Sequence, residues 1–273
     1  MARSGTEGRG VLEGAFALME VLAHGDEVGL TRLAADAALP KATAHRLLGQ
    51  LVALGAVQSR SGRYRLGART FRLGQAWHPA RALRAAAARP LRELSVTSGG
   101  LSLSLSVPEG GHTVVVGNVR GAADDRYPLH PGAVLPPGNA AELVLTAYTP
   151  EAGPPANWAV SAWIREAARI RERGLAFEHG RCVSTLSWVA APVFSATGQV
   201  VAAVAATGTD RAQVTRLGEA VTRTAALITT NLTRLPGAAA AWSSAAGVGP
   251  GAGSGRAIAA AAGPVATGGG ETA

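Results

Sequence analysis

Chemistry in this chain concentrates between residues 40 and 65. Pro40 leads a stretch carrying Lys41, Ala42, Thr43, His45 and Arg46, and Arg60, Arg63 and Arg65 follow closely. At helical spacing, Lys41 and His45 lie one turn apart and Thr43 and Arg46 lie beside them, so the set shares an outer face. Guanidinium and ammonium groups at such positions reach DNA phosphates or the guanine edge. Thr43 and Ala42 are small enough to meet a thymine methyl or a phosphate. The three later arginines flank Ser61-Gly62, a hairpin turn pair. A basic hairpin straight after a candidate recognition helix has the position of a wing that grips the adjoining backbone or minor groove.

Other reactive residues form weaker sets. His179 and Cys182 are three apart and could face each other as a nucleophile and base. No glycine elbow or third orienting residue accompanies them, so catalysis is not expected. Asp124, Asp125 and His130 are too few to argue a metal site, and no phosphate-cradling GxxxxGK[ST] run occurs. The expectation is a protein that is not an enzyme and uses no cofactor or metal.

Positioning the basic set requires two short amphipathic helices joined by a tight turn, over residues 30–57. Apolar residues at Val11, Leu12, Ala15, Leu18, Met19 and Leu22 predict a preceding helix over 11–24. Thr31 is the expected N-cap of a helix through Ala37, and it joins the candidate DNA contacts. Pro40 opens the next helix, since its missing N–H costs nothing there. That helix is predicted over 41–54, with Ala44, Leu47, Leu48, Leu51 and Leu54 inward and Gly55 as a left-handed stop. The hairpin pairs residues 56–59 with 63–66.

The rest of the chain changes period twice. Residues 68–78 fit a linker helix broken by Pro79, with helical character resuming over 80–95 around Pro90. Leu101, Leu103, Leu105 and Val107 alternate with serines, which predicts a half-buried strand. Further strands are expected at 113–119, at 126–130 on an edge, and at 175–179, 187–194 and 199–207. Helices are expected at 139–148, at 161–173 ending at Gly174, and from Asp210 to 234. The fold class is α+β in two domains, an antiparallel sheet flanked by helices following the helix-turn-helix. Residues 1–10 and the Ala/Gly-rich stretch 236–273 read as disordered.

Composition sets the bounds. The chain has 273 residues, 47% of them hydrophobic and 16% charged, with a formal net charge of +8. Residues 1–90 hold 13 Lys+Arg against 6 Asp+Glu, and residues 91–273 hold 13 against 12. The basic excess therefore sits beside the helix pair, where a polyanionic partner would bind. Codon bias could explain 25 arginines and one lysine, Lys41, but not that asymmetry. A single cysteine, Cys182, excludes an intramolecular disulfide and a thiolate zinc cluster. The first residues lack the apolar core of a secretory signal and no run of about 18 apolar residues occurs, so a cytoplasmic protein is expected.

The run LTRLAADAALPKATAHRLLGQLVALGAVQSRSGRYRLG resembles the winged helix-turn-helix of the IclR-type bacterial transcriptional regulators. "ARPLRELSVTSG", "ARIRERGLAF" and "VAAPVFSATGQVVAAVAATG" follow in that family's order, extending the likeness over residues 11–235. The resemblance implies a winged helix-turn-helix over 11–67, a linker helix over 68–89 and a GAF-like effector-binding domain over 90–235. It also implies a dimeric or tetrameric regulator, most simply a repressor, that binds an operator and responds to a small molecule.

The implied effector site includes Gly138, Asn139, Ala140, Glu178, Trp188, Ala205 and Thr207, and here the chain departs from its relatives. A common Thr-Ala-x-Gly-Lys run is replaced by Asn139-Ala140-Ala141-Glu142-Leu143. Trp188 stands where a cysteine is usual, and Ala205 and Thr207 replace paired serines. Fewer small polar donors converge, so an oxyanion would bind poorly. Two expectations stay open: an effector larger and more apolar than a small organic acid, or no effector because Trp188 fills the site. A rival reading is a dimeric ligand- or partner-binding module that has lost regulated DNA binding.

Overall fold

The computed structural model describes residues 10–23, 27–155 and 157–235. The expectations for residues 1–9, for His24 and for the tail 236–273 fall outside these residues.

The N-terminal unit packs α1 (Val11–Ala23), α2 (Leu30–Asp36) and α3 (Lys41–Ala53) against a small antiparallel sheet. Leu18, Leu22, Leu33, Leu47 and Leu48 are buried together, which fixes the angle between the two helices of the turn motif. Several details differ from the sequence reading. Val11 and Leu12 are exposed, and the inward stripe of α1 is Gly14, Leu18 and Leu22. Gly14 lets Leu47 and Leu39 approach closely. Leu54 is exposed because α3 ends before it, with Leu54 as C-cap and Gly55 left-handed at φ 71°. Thr31 is not the N-cap. Gly29 holds that position with no side-chain bond, because Val28–Gly29 is itself a strand and the helix begins directly after it.

That two-residue strand, β1 (Val28–Gly29), pairs with β3 (Arg63–Leu66), which pairs with β2 (Val57–Arg60). Ser61 and Gly62 make the turn at φ 50° and 74°, the left-handed pair that suits a right-twisted hairpin. Gly67 ends the hairpin where Gly55 crosses. A Cβ there would stand 2.3 Å from the Gly55 carbonyl oxygen.

α4 (Ala68–Gln75) and α5 (His78–Thr97) follow. The break falls at Ala76-Trp77, and Pro79 sits in the first turn of α5 rather than stopping a helix. Pro90 lies inside α5 without ending it. Ala80, Leu83, Ala86 and Ala87 share a core with the second sheet. The first half of α5 thus packs with the C-terminal domain, where the sequence reading had a linker.

The second sheet has five strands in the order β5-β4-β8-β7-β6, all antiparallel. These are β4 (Ser102–Glu109), β5 (His112–Val119), β6 (Ala176–His179), β7 (Ser187–Phe194) and β8 (Val200–Gly208). One face, with Leu103, Leu105, Val189, Val204 and Ala206, lies under α5 and α9 (Gly218–Arg234). The other, with Trp188, Ala190, Ala203 and Ala205, lies under α6 (Ala140–Ala147) and α7 (Val160–Arg173).

Two further corrections concern this domain. Residues 126–130 are not an edge strand. Tyr127 closes a turn back to the Ala123 carbonyl, and residues 132–135 run along the edge of β5 instead, with Val115 N–H donating to Ala133. The closing helix is two helices, because Asp210 caps only α8 (Arg211–Arg216) before Leu217 turns the chain into α9.

Replacing Gly67 by Ala forces backbone apart at Gly55 and Ala56 and should cost the N-terminal domain about 1–3 kcal/mol. Gly62→Ala meets nothing within 4 Å, so it should cost only the left-handed penalty of about 1–2 kcal/mol. Urea unfolding followed by circular dichroism checks this order, and equal losses would contradict the close crossing.

Candidate nucleic-acid interface and effector face

α3 is amphipathic by burial. Ala44, Leu47, Leu48 and Leu51 face inward, whereas Lys41, Ala42, His45, Arg46, Gly49 and Gln50 are exposed and Thr43 is half-buried. Ala42 and Gly49 keep that outer surface low, and its cations stand at the helix start. The wing arginines are all exposed, but two of them are held. Arg63 donates to the Glu27 carbonyl at 2.7 Å, and its Nε lies 3.9 Å from the Glu27 carboxylate. Arg65 lies 3.9 Å from the other Glu27 oxygen and donates to Gln58. Exposed pairs of this kind contribute under about 1 kcal/mol, so a phosphate can displace Glu27 cheaply. Until then the pairing keeps both guanidiniums beside the wing. Glu27 was not singled out from sequence, because its role depends on the short strand that follows it.

The second candidate site is the sheet face beneath α6. Strand register places Glu178 opposite Trp188, Trp188 opposite Thr207, and Thr207 opposite Ser102. The next row is Ala176, Ala190, Ala205 and Ser104. Of the sequence-predicted effector residues, Glu178, Trp188 and Thr207 thus form one row, with Ala205 in the row beside it. Asn139 is the N-cap of α6: its side chain accepts from Glu142 N–H at 3.0 Å. Ala140 packs in the same core as Trp188 and Ala205. Gly138 takes a left-handed φ of 83°, and its N–H donates to the Glu142 carboxylate. Burial raises the Glu142 pKa, and that N–H partly offsets the effect.

Glu178 is 2% exposed. One oxygen accepts from the Arg181 and Cys182 N–H groups, and the other accepts from the Cys182 thiol at 3.0 Å. Burial pushes the Cys182 pKa up, and the bond to Glu178 and its charge push the same way. Cys182 is therefore a neutral donor, not a nucleophile. His179, on the alternate side of β6, stacks on Phe177 with ring centroids 5.8 Å apart. The two candidate nucleophile partners thus serve different neighbours. Asp124, one of the three residues too few to argue a metal site, accepts from Ser102 Oγ and from Gly121 N–H.

The IclR helix-turn-helix domain model matches residues 11–61. A glycerol operon regulatory protein of Streptomyces griseus is 32% identical over 244 residues, covering 81% of this chain and 95% of that protein. The chain belongs to the IclR family of transcriptional regulators. A second glycerol operon regulatory protein, from Streptomyces coelicolor, is 37% identical over 145 residues, a match spanning 52% of this chain and 57% of that protein's length.

Solved IclR structures share the fold across both domains. The IclR homolog of Microbacterium hydrocarbonoxydans, complexed with 4-hydroxybenzoate, superposes with a TM-score of 0.70 at 22% identity, covering 81% of this chain and 98% of that one. HmgR of Pseudomonas aeruginosa gives 0.62 at 25%, covering 80% and 97%. In this IclR chain the matched helix-turn-helix segment contains α1, α2 and α3 and runs into the β2–β3 hairpin.

The shielded thiol makes a direct test of the Glu178 cradle. Ellman's reagent at mildly alkaline pH should modify Cys182 at least about tenfold more slowly in the folded protein than in urea. Glu178→Gln, which removes the charge, should speed the folded reaction. Equal folded and unfolded rates would show that the cradle does not exist in solution.

Proposed function

We propose that this IclR regulator is a homodimeric repressor, acting in the cytoplasm, that binds a pseudo-palindromic operator through two copies of α3. The observation that carries this is the outer face of α3, with Lys41, His45 and Arg46 exposed and Thr43 half-buried, beside a wing bearing Arg60, Arg63 and Arg65. Thr31, exposed in the first turn of α2, contributes a backbone phosphate contact. That unobstructed face is also what disfavours a partner-binding module without DNA affinity. The two Streptomyces relatives are named as glycerol operon regulators, which supports control of an operon here.

Self-association is supported by uncovered apolar side chains. Phe16 is 60% exposed on α1, and Phe71 and Leu73 are each 67% exposed on α4. α4 buries no residue of its own, and a helix of eight residues is not stable in water without packing partners. A second copy would supply them. Paired α3 helices would then meet successive major grooves one turn apart.

The C-terminal domain is the proposed effector module, with Gly138, Asn139, Ala140, Glu178, Trp188, Ala205 and Thr207 at its site. Binding there would shift the placement of the two reading heads and so the operator affinity.

Mobility shift on the DNA flanking its own gene is the test. Binding should fall steeply with salt, and Arg46→Ala should weaken it by about tenfold while lowering the salt slope by about one. Neutralising Arg60, Arg63 and Arg65 together should lower the slope by about three. Retention of full affinity in both variants would remove this reading.

A further inference from the structure

The row Ser102–Thr207–Trp188–Glu178 has an unusual polar balance. Its two ends are bound to carboxylates. Ser102 Oγ donates to Asp124, and Glu178 is itself a buried carboxylate whose two oxygens take three donors from Arg181 and Cys182. In the middle, Trp188 Nε1 and Thr207 Oγ1 are buried without a hydrogen-bond partner. Ser104 Oγ, diagonally next to Thr207, is unpartnered too. All three side chains are fully buried, at 0% exposure.

Buried polar groups ordinarily have partners, and unmet ones on neighbouring positions of one sheet face call for a water or a polar ligand. The groups present decide which one. Trp188 N–H is a donor only, so the ligand must present an acceptor. Thr207 and Ser104 hydroxyls can each donate or accept. Among the described residues, Glu178 is the single charged side chain in the buried set, and no buried lysine or arginine balances an incoming anion. A carboxylate would satisfy Trp188 but would sit beside Glu178 and Asp124, where like charges in a low dielectric repel. An ammonium would suit the carboxylates but has no lone pair for Trp188. A hydroxyl does both, accepting from Trp188 and donating to Thr207 or Ser104. The next row is Ala176, Ala190 and Ala205 under α6, small apolar side chains that set little bulk beside the polar row.

We infer that this face of the sheet takes a short, neutral, hydroxyl-bearing molecule of the diol or polyol class, held by Trp188, Thr207 and Ser104, and that it rejects organic acids. The inference rests on the reading of the C-terminal domain as an effector module. It departs from the expectation of a larger, more apolar ligand.

Three three-carbon probes separate the charges: propane-1,2-diol, lactate and isopropylammonium, which has no lone pair. Calorimetric titration of the full chain should show binding of the diol, with lactate and isopropylammonium at least about tenfold weaker, the cost of a repelled charge or an unmet buried donor. Thr207→Val keeps shape and removes the hydroxyl, and it should weaken the diol about tenfold. Trp188→Phe should do the same by removing the N–H. Thermal melts verify that both variants fold, and a variant that does not fold is replaced by Ser104→Ala, for which the same weakening is expected. Lactate binding as tightly as the diol, and changing DNA retention, would overturn the charge selection while leaving the effector reading intact. Failure of all three probes to bind would overturn the inference. Unchanged diol affinity in the folded variants would do so as well.

Discussion

The structure turns on the alternation of side chains along β4, β8 and β7. In each strand one set of residues, Leu103, Leu105, Val204, Ala206 and Val189, lies under α5 and α9. The set between them, from Ser102, Ser104, Thr207, Ala205 and Trp188, lies under α6. A one-residue slip would exchange these faces wholesale. It would drive serines into the apolar core and leucines against the candidate ligand row. The register is therefore a condition of both stability and recognition. The central position of β8, paired on both sides over most of its length, holds that register.

Much of this was legible beforehand because periodicity is a local property. The serine–leucine alternation of β4 and the valine and alanine runs of β7 and β8 identify those strands within a residue or two. Pro40, Gly55 and Ser61-Gly62 mark the limits of α3 and the wing through backbone constraints that no tertiary contact overrides. The row of Glu178, Trp188 and Thr207 was reached through a family pattern, and the pairing register joins those residues physically.

What escaped the sequence depends on distant partners. β1 is two residues long, far below the length at which alternation can be counted, and exists because β3 offers an edge. Leu54 looks like core by spacing and is exposed because α3 ends one residue earlier. Tyr127 and Leu129 resemble strand residues, yet Tyr127 O–H donates to the Val134 carbonyl and Leu129 is buried within a loop. Cys182 matters through a carboxylate that is itself positioned by β6. Spacing suggested His179 as the partner of Cys182. The strand's two-residue period assigns that thiol to Glu178, the neighbour on the other face.

The same two-faced sheet explains how a small change on one side could reach DNA. Trp188 and Thr207 alternate along their strands with Val189 and Ala206, which lie in the core shared by α5 and α9. A ligand that spread the row beneath α6 would shift those neighbours and so press on α5. α5 runs as one helix through Pro90, and so links the sheet it packs on to its own early turns. Its early turns meet α4 through Arg84, which donates to Gln75 at 3.1 Å across the Ala76-Trp77 break. α4 in turn is fastened to the winged unit by Thr70 on the Ala56 carbonyl and Arg69 on the Leu54 carbonyl. These links are few, polar and exposed, except the partly buried Thr70 bond, and each contributes about 1 kcal/mol. Polar links at this junction thus stand between two apolar cores. In the proposed regulator, such a joint lets the reading heads move relative to the sheet without either domain unfolding.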